Sequence, residues 1–487
     1  MAGKLHHLKP PRVQPLPYKT ALGQKEGIVY RQMPIRNVIF CGHVDAGKST
    51  TTGALLKVTG LVADQTIEKF RKEATTKNKG SFALAWVTDT AKAERDTGKT
   101  MDLCHVELFT GNQYYTIIDS PGHTDYIRNM ITGSAQADVM ALILDAEALY
   151  SNIAEWKKNY NSEECEPLKQ WSTQQHAVIC RGLGVTDGVV ILNKMDMIPQ
   201  NIRADAFNEM KAYLKAKMQA CGFAIRDQDF CHIAAYLELG LSEPFSGIPG
   251  ARSLIETLDS IPERDSKDTP FRLHIEAIYK EVQGTNVVFT GKVQSGIVRP
   301  GDELKILPCN DPVTVRTIQM HRKPLTEAPK GCNVGIDVKG PSGKLDELKK
   351  HYGRNSILCG SKSPVSVSNT FRANAVLIDM LADKGLMVDR TKVILHMASG
   401  VSSAACLRAI ENPFSLTQKA PISQGNVDAI MANTRATLTF ETDSVLPLET
   451  RADHPRNGSF LIREGDKTLG WGYITQILPT STPGVSS

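Results

Sequence analysis

Residues Gly42-His43-Val44-Asp45-Ala46-Gly47-Lys48-Ser49-Thr50 set glycines, a lysine and hydroxyls at the spacing G-x-x-x-x-G-K-[ST]. That order suits polyphosphate chemistry. The glycines let successive N–H groups curl toward one concavity, Lys48 reaches the β- and γ-phosphates, and the Ser49 hydroxyl ligates Mg²⁺. Such a loop needs a strand before it and a helix after it. The apolar run Val38-Ile39-Phe40 and the stretch Thr51-Thr52-Gly53-Ala54-Leu55-Leu56 supply them, and the helix N-terminus adds its positive end.

Two more segments follow apolar runs of their own. Tyr114 to Ile118 delivers Asp119-Ser120-Pro121-Gly122-His123, and Val189-Val190-Ile191-Leu192 delivers Asn193-Lys194-Met195-Asp196. Open α/β sheets place ligand-binding groups at such strand ends. Asp119 can hold Mg²⁺ through water, and the Gly122 amide can approach the γ-phosphate. Asp196 can accept both hydrogens of the N1 and exocyclic-amine edge of guanine, a pairing adenine does not offer. Three motifs in this order imply a domain that binds GTP or GDP with Mg²⁺.

The remaining chain must position these loops. At 487 residues, 22% charged and 41% hydrophobic, it has room for about three ordinary domains. A net charge of +5 is a mild basic bias, compatible with an RNA-rich partner. The ten cysteines form no C-x-x-C pair, which favours reduced thiols in a cytoplasmic protein over disulfides or zinc. No apolar segment has the length of a membrane span, and no signal peptide is evident.

In chain order, residues 1–33 are a basic extension. Pro10, Pro11, Pro15 and Pro17 argue against helix there. Residues 34–262 alternate apolar runs with helical stretches, as in a doubly wound α/β domain. The polar stretch Tyr150 to Trp171 reads as a surface insertion. A charged linker follows at 260–268, and the apolar rhythm then shortens toward period two. It predicts an antiparallel β-barrel over 268–363 and another over 364–478, with a tail at 479–487. The expected architecture is thus an α/β P-loop GTPase domain followed by two antiparallel β-barrel domains.

With G-H-V-D-A-G-K-S-T, D-S-P-G-H and N-K-M-D in place, the chain resembles the translational GTPases. The group concerned contains elongation factor 1-alpha, the GTPase subunit of the eukaryotic release factor, and the ribosome-rescue GTPase that partners pelota. Thr66-Ile67-Glu68-Lys69-Phe70, Ala85-Trp86-Val87 and Asn129-Met130-Ile131-Thr132-Gly133 carry the likeness further. Asp45-Ala46-Gly47-Lys48, Thr100-Met101-Asp102 and the stretch Gly284 to Lys292 look more like the rescue and termination branches. The resemblance implies a cytoplasmic monomer that hydrolyses GTP on the ribosome. It would deliver aminoacyl-tRNA or a tRNA-shaped release or rescue protein to the A site; the need for a nucleotide exchange factor is left open. It also implies that Thr100 closes on Mg²⁺ and the γ-phosphate, and that His123 positions the attacking water.

Two positions depart from the family pattern. Lys99 stands where a branched aliphatic is usual. A cation there could steady charge near the γ-phosphate, but the reading preferred is that it points to water, so that basal and ribosome-stimulated GTPase rates unchanged in Lys99→Ile would remove it from the mechanism. On the guanine side, His232-Ile233-Ala234-Ala235-Tyr236 replaces the usual Ser-Ala or Ser-Gly. Ala234 and Ala235 keep backbone N–H groups for the guanine carbonyl but lose a hydroxyl. One lost hydrogen bond is worth ~1 kcal/mol, or several-fold weaker nucleotide binding. Two other readings stand beside the translational one: a non-hydrolysing GTP-bound scaffold, and the GTPase subunit of ATP sulfurylase.

Overall fold

The computed structural model describes residues 35–76, 84–87, 104–110, 112–121, 127–158, 173–262, 269–280, 287–320, 323–353, 355–363, 365–378, 385–465 and 467–480. The basic extension, the loop bearing Lys99 and Thr100, and Gly122 with His123 lie outside these residues.

Unbroken aliphatic runs without polar alternation form strands covered on both faces. β1 (Ile35–Cys41), β2 (Cys104–Phe109), β3 (Tyr114–Asp119), β4 (Val139–Asp145), β5 (Asp187–Asn193) and β6 (Phe230–His232) make one sheet in the order β2-β3-β1-β4-β5-β6. Neighbours are parallel except β2, which runs antiparallel to β3. Ile39 packs into the core on one face of the sheet, and Val38 and Phe40 into the core on the other. The first face carries α3 (Ile127–Gln136), α4 (Ala146–Lys158), α5 (Thr173–Gly182) and α6 (Arg203–Ala220); the second carries α1 (Lys48–Val58), α2 (Asp64–Thr76) and α7 (Leu254–Asp259). β1 has β3 on one side and β4 on the other. The crevice at its carboxyl end is therefore the switch point where such sheets bind ligands.

Of the stretch 150–171 read as a surface insertion, residues 159–171 lie outside the described residues, and the part that is described is helical. Residues 150–158 are the last turns of α4, with Ile153 buried and the Trp156 ring edge-on to Tyr213 at 5.6 Å. Apolar positions 149, 153 and 156 share one helical face, which outweighs the polar residues between them.

Beyond the linker, strands 272–274, 287–295, 303–307, 311–320, 333–339 and 357–360 close into an antiparallel six-stranded barrel, 303–307 pairing with both 311–320 and 357–360. A short helix, Leu345–His351, lies among its strands. A second six-stranded barrel follows, closed where Lys392–Met397 pairs with both Ser402–Ser415 and Ser459–Glu464. Inward residues alternate with outward ones, as Phe371, Ala373, Ala375 and Leu377 do. The Phe371 ring meets Phe440 at 5.8 Å and Phe460 at 5.6 Å in its core.

Both barrels dock at the end of the sheet opposite the crevice, and the junction is ionic. Asp138, between α3 and β4, accepts from Lys292 of the first barrel at 2.8 Å and from Arg456 of the second at 3.0 Å. Its other oxygen accepts from the Asn37 backbone N–H at 3.0 Å and side-chain amide at 3.1 Å. The same two cations reach the C-terminal carbonyls of α3, Lys292 to Gln136 and Arg456 to Ala135. They thereby cap that helix where its dipole is negative. Burial alone would raise the Asp138 carboxyl, but Lys292, Arg456 and Lys330 together hold it well below the usual carboxylate range. α5 adds an apolar contact, with Gly182 against Leu461 and Trp471 and the Arg181 guanidinium 5.0 Å from the Trp471 ring centre.

One consequence concerns acid. Burial, then Arg463 and, from α3, Arg128 push the His396 imidazole down from 6.5 to about 4. Between those values the unfolded chain binds the proton and the folded chain does not, so stability falls as pH drops through that window. Thermal melts at pH 7 and pH 5 should show the loss, and His396→Gln should remove part of it.

Candidate functional site

The carboxyl ends of β1, β3, β4, β5 and β6 bring the candidate residues to one crevice. After β1 the loop turns on three left-handed residues, Gly42 (φ 149°), Asp45 (φ 61°) and Gly47 (φ 92°). Gly47 caps α1, and its carbonyl accepts from both the N–H and the hydroxyl of Thr51, each at 2.8 Å. Lys48 is buried at the helix start and donates to the carbonyls of Gly42 at 3.1 Å and His43 at 2.9 Å. The loop thus already surrounds an ammonium held over it. Burial lowers the Lys48 ammonium from its usual value, and Asp119, Cys41 and Asp45 pull against that shift.

Asp119 ends β3 fully buried, and the adjacent Ser120 hydroxyl donates to the Phe40 carbonyl at 2.7 Å, tying that loop to β1. Ser49 opens α1 beside Lys48. A hydroxyl and a carboxylate make an all-oxygen donor set, which fits a hard cation such as Mg²⁺ that keeps much of its water. Val44, Ala46 and Thr50 complete the loop, Ala46 being buried and its N–H donating to His43 at 3.3 Å.

Asn193 is the brace of the second half. Its amide donates to the Ala46 carbonyl at 2.9 Å, and its Oδ1 accepts from the Ala235 N–H at 3.0 Å. One side chain therefore links the phosphate-side loop to the guanine-side loop. Met195 is buried beneath that link, while Asp196 is exposed toward solvent. The Ala234 N–H, assigned from sequence to the guanine carbonyl, donates instead to Leu239 at 3.0 Å. Both alanine amides brace the loop, because the tight turn from β6 into residues 235–237 folds their N–H groups inward.

Two residues at this site carry no spacing signal in the sequence. Asp145, at the end of β4, bonds Lys194 at 2.6 Å. His176 of α5 is buried, and burial, then Lys48 and His43, push its imidazole down to about 3. It is therefore a neutral group at neutral pH, close enough to Lys48 and His43 to feel their charge.

Residues 33–264 match the family described as the elongation factor Tu GTP binding domain, and residues 286–344 match elongation factor Tu domain 2. Elongation factor 1-alpha of Hyperthermus butylicus is 30% identical over 454 residues, covering 92% of this chain and 98% of its own. That of Thermoplasma volcanium is 32% identical over 451 residues, with 91% and 97% covered. The chain belongs to the elongation factor Tu and elongation factor 1-alpha family of GTPases. Family members hydrolyse GTP, so the crevice takes a guanine nucleotide. The GTP-bound GTPase-like domain of S. cerevisiae Ski7 superposes with a TM-score of 0.67 at 15% identity, covering 92% of this chain and 98% of that one. That likeness is one of fold. Among the described residues no helix is long and apolar enough to cross a membrane.

Proposed function

We propose that this family member is a cytoplasmic translation factor that binds GTP with Mg²⁺ and hydrolyses it on the ribosome. In doing so it delivers a tRNA or a tRNA-shaped protein to the A site. The observation that carries the reading is the helix α3. It begins directly after the segment bearing Asp119, Gly122 and His123, and its far end is held by Lys292 and Arg456, one from each barrel. A change at the γ-phosphate end of that helix is thereby transmitted to both barrels, as a GTP-driven delivery factor requires.

In this reading the backbone of the 42–47 loop cradles the phosphates and Lys48 offsets charge on the β- and γ-oxygens. Ser49, Asp119 and Thr100 hold Mg²⁺, which when bound neutralises charge developing on the transferred phosphoryl group. Asp196 selects guanine, Asn193 fixes the loop that presents it, and His123 aligns the attacking water. The Gly122 amide meets the γ-phosphate.

For the partner, the sequence stretches around Asp45 and Gly284 favour a release- or rescue-type protein. Identity of 30–32% with chains named elongation factor 1-alpha, over more than nine-tenths of their length, favours aminoacyl-tRNA. Capture with a non-hydrolysable GTP analogue decides between them. The expected eluate holds a tRNA-shaped protein without tRNA; enriched aminoacyl-tRNA would move the chain to the elongation branch.

A further inference from the structure

Asp145 uses its two oxygens for two different tasks. Oδ1 accepts from the Ala148 N–H at 3.1 Å, capping α4, and Oδ2 holds the Lys194 ammonium at 2.6 Å. Asp145 and Asn193 are register partners on the parallel strands β4 and β5, so the lysine that follows Asn193 starts next to the carboxylate that receives it. Lys194 itself is left-handed (φ 61°), a conformation rare for a residue with a side chain, and it lies between the loop carrying Asp196 and the end of β4. With Nζ tied down, its aliphatic stem runs from the end of β5 to the end of β4, the strand that lies between β5 and β1. Its side chain is 38% exposed and that of Asp145 21%, so the pair is reachable from solvent at the carboxyl ends of β4 and β5.

We infer that Asp145 is a positioning residue for nucleotide binding: it fixes Lys194 as one wall of the base and ribose slot and so slows release of the guanine nucleotide. This rests on the reading of residues 193–196 as the guanine site. A lysine left to rotate loses side-chain freedom each time the nucleotide binds, whereas a tethered one has already lost it. The tether is this chain's own carboxylate and does not depend on the bound nucleotide.

Asparagine separates the two tasks, because it caps a helix as well as aspartate does but carries no charge for Lys194. The experiment measures dissociation of a fluorescent GDP from the full chain and from the Asp145→Asn, Lys194→Ala and doubly substituted variants, with thermal melts of each. Asp145→Asn is expected to release GDP about fivefold faster, the cost of ordering one free lysine side chain, with its melting temperature lowered by only the few degrees that a partly exposed ion pair is worth. Lys194→Ala should do at least as much, and the double variant no more than Lys194→Ala alone, since both changes remove one interaction. Unchanged release in Asp145→Asn, or additive effects in the double variant, would overturn the role of Asp145 while leaving the guanine site standing. Unchanged release in Lys194→Ala would overturn this inference as well, whereas unchanged guanine selectivity in Asp196→Asn would overturn the guanine-site reading beneath it.

Discussion

Replacing Asp138 with alanine is expected to cost about 3–5 kcal/mol of stability and to free both barrels from the GTP-binding domain. The carboxylate is the counter-charge of two cations that are themselves out of water, Lys292 with a side chain 3% exposed and Arg456 with 14%. Burial, against the pull of Asp138, already pushes the Lys292 ammonium down to about 7. Without Asp138 the lysine can shed its proton, but the guanidinium cannot, so Arg456 must return to water and take its barrel along. Asn37 also loses the acceptor for two of its N–H groups, while its amide still donates to the Gly331 carbonyl of the first barrel. Urea unfolding should give the loss in stability, and small-angle scattering should give an expanded particle. Asp138→Asn, which keeps the shape and one acceptor but not the charge, should fall between the two.

The second large effect is expected at Gly42. A Cβ there would sit 2.1 Å from the Ile143 carbonyl oxygen, and the backbone φ of 149° is one that L side chains rarely adopt. Ile143 cannot retreat, because β4 is paired to β1 on one side and β5 on the other. The loop must therefore deform, at about 3 kcal/mol for strain and overlap together, which lowers GTP affinity about a hundredfold. Gly60→Ala is the matched control. It also has positive φ, 74°, but nothing lies within 4 Å of its added carbon, so nucleotide affinity should stay as it was. Titration with a fluorescent guanine nucleotide reads both.

Much of the crevice was legible because its parts are local. Val38 to Phe40, Tyr114 to Ile118 and Val189 to Leu192 are short apolar runs, and each hands its loop to the same edge of the sheet. The barrels announced themselves by a period of two. What sequence did not disclose is what depends on distance along the chain. Lys292 stands 154 residues from Asp138, and Arg456 stands 318 away; no spacing rule joins them. Asp145 looks like the polar end of a strand until its register with Asn193 places Lys194 beside it. Residues 150–158 read as a loop by polarity alone, although Leu149, Ile153 and Trp156 carry a helical period. The amides of Ala234 and Ala235 were assigned to a ligand by analogy, but the local turn engages them within the protein.

In the proposed function, GTP held in this crevice is hydrolysed in response to the ribosome. Single-turnover hydrolysis of bound GTP, with and without ribosomes, should separate the natural chain from His123→Ala. Ribosomes are expected to accelerate hydrolysis strongly in the natural chain. His123→Ala is expected to bind nucleotide with ordinary affinity and to lose the acceleration. Tight GTP binding with no ribosomal acceleration in either protein would contradict this function and leave a GTP-bound scaffold.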